Sequence, residues 1–157
     1  GAVDATEWVG PYNDYFMKFY EAAKYYYTGG MHEPGGGLGF GMNLDFWNNC
    51  TDHEKAVITA ACMEENAAQP EEAMANNGTY LQKLVDEHGT QLRSYNDDVW
   101  DAFGEASAEV FEETRQHSEM AARVNDSYMS ALRDIGGFRA IAEIEFSQQR
   151  NRVLGLT

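Results

Sequence analysis

Apolar side chains recur at helical spacing along most of this chain. In the first third of the chain, one stretch in which apolar residues alternate with small or polar ones interrupts this spacing. Residues 1–10 are expected to be extended. Over residues 12–27 apolar side chains fall three and four positions apart, which predicts a helix that the Thr-Gly-Gly sequence at 28–30 ends. The tyrosines at 25–27 are expected to pack mostly inside. Apolar and small residues alternate over 38–44, which predicts a strand although glycine is frequent there.

A capping pattern marks the start of the next predicted helix. Thr51 is followed three positions later by Glu54 and then by apolar residues, as in a capping box. This helix is expected to run to about Asn66. Pro70 is expected to kink or break it, because proline lacks the amide hydrogen that a helix needs. A further helix is predicted over 71–87.

The remainder of the chain is predicted to be almost wholly helical. Residues 91–95 are one more strand candidate, and the acidic residues at 97–98 fit the cap of a helical region over 99–154. The glycine pair at 136–137 is the expected break or bend. Helices with two or three short strands indicate a helix-rich α/β class. Since no repeat or linker divides the sequence, residues 1–157 are expected to form a single structural unit.

The composition of the chain argues against two classes of binding partner. The chain has 157 residues and a formal net charge of −15. Nucleic acids and anionic membranes are recognised through clustered Lys and Arg, so neither is an expected partner. An acidic protein can still hold an anionic ligand where the site supplies a metal ion. No apolar run reaches the ~18 residues that a membrane-spanning helix needs.

Two acidic residues stand out for their neighbours. Glu7 directly precedes Trp8, and Glu33 lies between His32 and Pro34. Carboxylate and carbonyl oxygens are the ligands that hard cations such as Na⁺ and Ca²⁺ prefer. With 26 acidic residues in the chain, two solvated surface glutamates are the plainer interpretation from the residues alone. No zinc-protease, phosphate-loop, dinucleotide or serine-hydrolase motif occurs in the sequence.

The segments GAVDATEWVGP, AKYYY and HEPGG, with the spacing between them, resemble the DctP-type solute-binding proteins of TRAP transporters. The similar branch binds 2-oxo acids and other small monocarboxylates. The resemblance covers essentially the whole chain and corresponds to the second half of the family. It implies the C-terminal portion of a periplasmic-binding-protein type II-like fold, with a few short strands and a long C-terminal helix. It also implies a periplasmic location, the membrane subunits of a TRAP transporter as partners, and no enzymatic activity.

The resemblance also implies a ligand site. The Glu7 carboxylate, the Trp8 backbone carbonyl and the Glu33 carboxylate would hold a metal ion, Na⁺ or Ca²⁺. Trp8 and Glu33 would also contact a small organic acid, although core packing explains Trp8 equally well. The arginine and glutamine that the family's first half supplies have no counterpart here. An acid/base enzyme built on Glu7, Glu33 and His32 is not expected, because no nucleophile or oxyanion site lies beside them.

The segment 138–154 has two interpretations. It carries more apolar surface than a lone terminal helix normally exposes, at Phe138, Ile141, Ile144 and Phe146. In the resembling proteins a long C-terminal helix can form a homodimer, so this segment is an expected dimerisation helix; alternatively, it folds back on its own core. For the whole chain, the alternative to a binding protein is a truncated helical module that self-associates and has no ligand of its own.

Overall fold

The computed structural model describes residues 2–33 and 35–156, so Gly1, Pro34 and Thr157 lie outside the described residues. Contacts within the chain separate two compact units, Gly1–Asn96 and Asp97–Thr157, at a position where the sequence pattern shows no boundary. The first unit contains α1 (Pro11–Phe16), β1 (Tyr25–Thr28), α2 (Leu44–Asn49), α3 (Asp52–His88) and β2 (Gln91–Ser94). The second unit contains α4 (Asp97–Gln116), α5 (Glu119–Arg139) and α6 (Glu145–Leu154).

The helix predicted over 12–27 is wrong in its length. Helix α1 ends at Phe16, and a 3-10 turn at Phe19–Glu21 leads towards β1. Lys18 has a φ of 57°, a left-handed conformation that an α-helix does not accommodate, so the chain turns there. Tyr25–Thr28 then form a strand, in keeping with the preference of aromatic and β-branched residues for strands.

Strands β1 and β2 form a parallel two-stranded sheet. Tyr25 pairs with Gln91, and the register continues to the pair of Thr28 with Ser94. The strand predicted over 91–95 is thereby confirmed. The long connection between the two strands contains α3, as a parallel pair requires.

The strand predicted over 38–44 is wrong. Residues 35–43 form neither helix nor strand, and α2 begins at Leu44. The Asn43 side chain accepts the amide hydrogen of Phe46 at 3.0 Å, which caps the helix. A glycine-rich segment loses much backbone entropy on forming a strand, and this local cap decides the conformation of the residues that follow.

The capping box predicted at the start of α3 is confirmed. Thr51 Oγ1 accepts the amide of Glu54 at 3.2 Å, and the Glu54 carboxylate accepts the amide of Thr51 at 2.7 Å. A break at Pro70 is wrong, because α3 runs continuously over Asp52–His88. The Ala, Glu and Gln residues on both sides of the proline are strong helix formers and carry the helix past it. The helix ends where predicted, with Gly89 at a φ of 67°.

The core of the first unit lies where α1 packs on α3. The rings of Tyr12, Tyr15 and Phe16 lie between 5.0 and 5.3 Å from the ring of Tyr80, measured between centroids. Leu84 is 2% exposed and is the one buried hydrophobic side chain among the described residues. The packing therefore fixes α1 against the C-terminal half of α3.

The N-terminus of α1 is capped by a side chain from α3. Gly10 precedes the helix, and Asn77 Oδ1 accepts the amide hydrogen of Tyr12 at 3.1 Å. The Tyr12 hydroxyl donates to the Glu72 carboxylate at 2.9 Å. A Cβ on residue 10 would lie 3.3 Å from Asn77 Oδ1, so the glycine permits this close approach. Helix α3 thus fixes the point at which the preceding extended segment enters α1.

The second unit begins with a helical hairpin. A two-residue connection makes α4 and α5 antiparallel neighbours, and Arg115 Nε lies 2.9 Å from Asp126 Oδ1 across the pair. The side chain of Ser118 caps α5. A break at glycines 136–137 is wrong, because α5 continues past them and a π-helical turn at Ala140–Ile144 leads into α6.

The helical character predicted for 99–154 is confirmed. None of the side chains described over 97–156 is buried, although many are large and apolar. Within the described ranges, no helix combines the length and the apolar character needed to cross a membrane.

Candidate functional site

The structure brings the extended segment before α1 to the turn after β1. Glu7 Oε2 lies 3.6 Å from His32 Nε2, and both side chains are about half exposed. Glu7 belongs to the Glu-Trp pair that the sequence singled out, and His32 directly precedes Glu33. Two of the segments quoted for the resemblance therefore meet at one exposed place on the first unit.

Glu33 sits in a tight turn that glycine makes possible. Its amide donates to the Gly30 carbonyl at 3.1 Å. Gly29 has a φ of 101° and Gly30 a φ of 22°, conformations that residues with a Cβ rarely adopt. A Cβ on residue 36 would lie 3.8 Å from Glu33 Oε1. The Glu33 carboxylate is exposed, and the side chain that contacts Glu7 is that of the preceding residue, His32.

Trp8 is 54% exposed, so it is not a core residue of this chain. Packing in the chain's own core, one of its two expected roles, is therefore wrong. An aromatic wall of a ligand pocket stays a prediction. The tyrosines at 25–27 also differ from expectation, since Tyr25 and Tyr27 are exposed and only Tyr26 is half-buried. Their sheet has two strands within the described residues, and these leave the side chains of Tyr25 and Tyr27 uncovered.

The donor set fits a hard cation in chemistry but is incomplete. Glu7 and Glu33 offer carboxylate oxygens and Trp8 offers a backbone carbonyl, which are the donors that Na⁺ and Ca²⁺ take. In the part of the chain that the structure describes, no three His, Cys, Asp or Glu side chains converge as a metal-binding group. Calcium takes about 6–8 oxygen ligands, so further donors must come from outside this set.

One pair of side chains near this site carries no signal in the sequence. The Tyr26 hydroxyl donates to Asp14 Oδ2 at 2.5 Å, joining β1 to α1. Asp14 is only 6% exposed, and its Oδ1 has no hydrogen-bond partner among the described residues. Aspartate in the first turn of a helix is common, so its burial could not be read from the segment PYNDYF.

The electrostatics of this pair follow from burial. Burial raises the pKa of the Asp14 carboxyl above its usual range; the Tyr26 hydroxyl bond partly offsets this, and the charge of Glu7 adds to it. Burial, followed by the hydrogen bond to Asp14, raises the pKa of the Tyr26 hydroxyl. The Tyr26 hydroxyl therefore keeps its proton, and the hydrogen bond persists at neutral pH.

Comparison with known proteins identifies the family. The family described as bacterial extracellular solute-binding protein, family 7 (DctP), matches residues 1–117 of the chain. The match covers well over half of the sequence, so the chain belongs to this family, whose members are transport proteins and not enzymes. The family predicted from the quoted motifs is thereby confirmed.

Two known proteins show how much of the family this chain represents. It is 30% identical over 146 residues to the monocarboxylate 2-oxoacid-binding periplasmic protein of Nostoc sp., covering 93% of this chain and 40% of the relative. Its fold is similar to that of a TRAP transporter solute-binding protein from Bordetella bronchiseptica, with a TM-score of 0.87 and 24% identity, over 99% of this chain and 46% of the other. The predicted helix-rich α/β fold class is confirmed, and the chain spans less than half the length of either protein.

The Bordetella structure also has a described ligand state. It is a mixed-occupancy dimer in which one active site holds copurified calcium and picolinate and the other is apo. Picolinate is an aromatic carboxylate whose ring nitrogen stands next to the carboxyl group. This ligand pairs a carboxylate oxygen with a second donor atom, as a 2-oxo acid does.

Proposed function

We propose that this chain is the C-terminal half of an extracytoplasmic solute-binding protein of a TRAP transporter. The complete two-lobed protein captures a small 2-oxo or 2-hydroxy acid in the periplasm and delivers it to the membrane subunits. A metal ion, Na⁺ or Ca²⁺, links the acid to the protein. The Glu7 and Glu33 carboxylates and the Trp8 carbonyl hold the ion, and Trp8 and Glu33 also contact the acid.

The observation that carries this proposal is the approach of Glu7 to the turn that bears Glu33. The Glu7 carboxylate lies 3.6 Å from His32, and the next residue supplies the second carboxylate. Both acidic groups are exposed, so an ion from solvent can reach them.

Charge explains why the acid needs the ion. The chain has a formal net charge of −15, which repels a free carboxylate. A bound cation reverses the local potential and accepts the ligand's carboxylate and 2-oxo oxygens directly. The Nostoc relative is described as binding monocarboxylate 2-oxo acids, and the Bordetella neighbour holds calcium together with a carboxylate. Both support this class of ligand.

The second unit supports a homodimer through the segment 138–154. Its apolar side chains face solvent in this chain, with Phe138 65% and Ile141 72% exposed. The arrangement favours the dimerisation helix over a segment folded onto its own core. In the complete protein, Ile141→Asp should shift the sedimentation coefficient from dimer to monomer, whereas Gln148→Asp on the same segment should leave the dimer intact. A dimer that persists in the Ile141→Asp variant would contradict this assignment.

The ligand site is tested by calorimetry on the complete two-lobed protein with pyruvate as probe. Wild-type protein should bind pyruvate in calcium and lose that binding after chelation. The double variant Glu7→Gln with Glu33→Gln should show no calcium-dependent binding, because both carboxylate donors are gone. Glu64→Gln, on the exposed surface of α3, is the matched control and should bind as wild type does. Unchanged affinity in the double variant would sink the site assignment.

A further inference from the structure

We infer that the hydrogen bond between Tyr26 and Asp14 positions the two halves of the ligand site, so that Asp14 and Tyr26 are positioning residues for metal-dependent acid binding. The inference rests on the proposed function, in which Glu7 and Trp8 form one half of the site and Glu33 the other. Neither residue of the pair is assigned to touch the ion or the acid.

The path of the chain explains why this bond controls the site. Trp8 lies three residues before the start of α1, which contains Asp14, and Glu33 lies five residues after the end of β1, which contains Tyr26. The two halves are 26 residues apart, and the bond between Asp14 and Tyr26 at 2.5 Å joins the elements that carry them. The contact between Glu7 and His32 at 3.6 Å joins the ends of the same segment, residues 7–32, through two half-exposed side chains.

The rest of the first unit fixes both elements, α1 and β1, in place. Helix α1 is fixed to α3 by the Asn77 cap and by the Tyr12–Glu72 hydrogen bond. Strand β1 is fixed by its parallel pairing with β2. The Tyr26–Asp14 bond ties these two anchored elements to each other. A change of less than 1 Å in ligand geometry is enough to weaken a metal site that needs fixed distances.

Burial separates this pair from the ion's own ligands. Asp14 is 6% exposed and Tyr26 is half-buried, whereas Glu7 and Glu33 are exposed. A buried carboxylate is costly unless a specific partner satisfies it. Asp14 has one oxygen bonded by Tyr26 and the other without a partner. The pair is therefore assigned to act on the site through the geometry that it enforces and not as a ligand of the ion.

The chain offers a matched pair of variants for the test. Tyr26→Phe removes only the hydroxyl that bonds Asp14. Tyr27→Phe, one residue further in the same strand, removes a hydroxyl for which the structure gives no hydrogen bond. Asp14→Leu removes the acceptor, whereas Asp14→Asn keeps a carbonyl oxygen that the Tyr26 hydroxyl can still reach.

The first measurement is calorimetry with calcium and pyruvate on the complete protein, at a temperature where every variant is folded. Tyr26→Phe and Asp14→Leu should each raise the Kd for pyruvate about tenfold, and the double variant should also raise it about tenfold, because both changes break one bond. Asp14→Asn and Tyr27→Phe should stay within about twofold of wild type. Unchanged affinity in Tyr26→Phe, or a hundredfold loss in the double variant, would overturn the inference.

The second measurement needs neither metal nor acid. In metal-free protein labelled with fluorotryptophan, the ¹⁹F signal of Trp8, assigned through its loss in Trp8→Phe, should shift in Tyr26→Phe and stay in place in Tyr27→Phe. The signals of Trp47 and Trp100 are internal controls. An unchanged Trp8 signal in Tyr26→Phe would overturn the positioning role of the Tyr26–Asp14 bond. If this signal shifts while wild-type protein binds pyruvate without metal, the proposed ligand site has failed, and the inference that rests on it is overturned for that separate reason.

Discussion

The two units of the chain differ in how their side chains are held. In the first, groups far apart in sequence meet: the Tyr12 hydroxyl bonds Glu72, 60 residues away, and Tyr26 bonds Asp14. Leu84 is buried there. In the second, no described side chain from 97 to 156 is buried, and α4 and α5 border an open groove of about 620 Å³.

The difference shows which parts of the chain are specified by their own contacts. The first unit arranges the elements that carry Glu7, Trp8 and Glu33 with hydrogen bonds and ring contacts from within. The second presents many large apolar side chains to solvent. Because exposed apolar patches mark interaction sites, we expect polypeptide outside this chain to cover this surface in the complete protein. The residues of the proposed ligand site all lie in the first unit.

The largest expected effect is a difference in stability cost between two leucine truncations, one in each unit. Leu84→Ala should lower the free energy of unfolding by roughly 3 kcal/mol, because it opens a cavity at a buried site. Leu132→Ala, at an exposed position of α5, should cost under about 0.5 kcal/mol in the 157-residue chain. Urea unfolding of both variants measures the difference.

The same two leucine variants, made in the complete two-lobed protein, give a sharper comparison of the two units. Covered apolar surface should then raise the cost of Leu132→Ala to about 2 kcal/mol or more, while the cost of Leu84→Ala stays near its value in the shorter chain. Equal and small costs of Leu132→Ala in both proteins would contradict the view that outside polypeptide covers the second unit.

A smaller effect is expected from the side-chain cap that joins α1 to α3. Asn77→Ala leaves the Tyr12 amide without its acceptor and should lower the free energy of unfolding by about 1 kcal/mol. Asn66→Ala on the exposed part of α3 is the matched control and should stay within about 0.5 kcal/mol of wild type. If the two variants have equal stability, the cap does not hold α1.

The smallest expected effect is a pH dependence with opposite signs at two acids of the first unit. Burial raises the folded-state pKa of Asp14, so its contribution to stability is present below its unfolded pKa and is lost as pH rises through the folded value. Hydrogen bonds from Thr51 lower the pKa of Glu54, so its contribution is present above the unfolded pKa and is lost as pH falls through the folded value.

Urea unfolding across a pH series measures both signs. The stability of wild type relative to Asp14→Asn should decrease as pH rises above about 4, and its stability relative to Glu54→Gln should decrease as pH falls below about 4. A wild-type advantage over Asp14→Asn that grows with pH would show that Asp14 is not a buried carboxyl with a raised pKa.

Local signals in the sequence predicted the features that depend on a few neighbouring residues. The Thr51–Glu54 box and the end of α3 at Gly89 were predictable because cap and stop residues act within one helical turn. The segment 25–28 was not, because its tyrosines fit the helical spacing as well as a strand. Pairing with β2, more than 60 residues later, decides its conformation.

The candidate site also combines residues that local sequence motifs indicate with a contact that they do not. Glu7, Trp8 and Glu33 were inferred from the family motifs, which are short and lie in order along the sequence, and their role as ligands stays a prediction. The bond between Asp14 and Tyr26 was not, because it depends on the left-handed turn at Lys18 that reverses the chain between them. An aspartate in a first helical turn gives no sign of whether it is buried.

The most direct test of the central claim is a crystal structure of the complete protein grown with calcium and pyruvate, with the ion located by its anomalous scattering. We expect a peak bound by the Glu7 and Glu33 carboxylates and the Trp8 carbonyl, at about 2.3–2.6 Å from each oxygen, with the acid on the same ion. Pyruvate bound without an ion, or an ion held by other residues while Glu7 and Glu33 face solvent, would contradict the account.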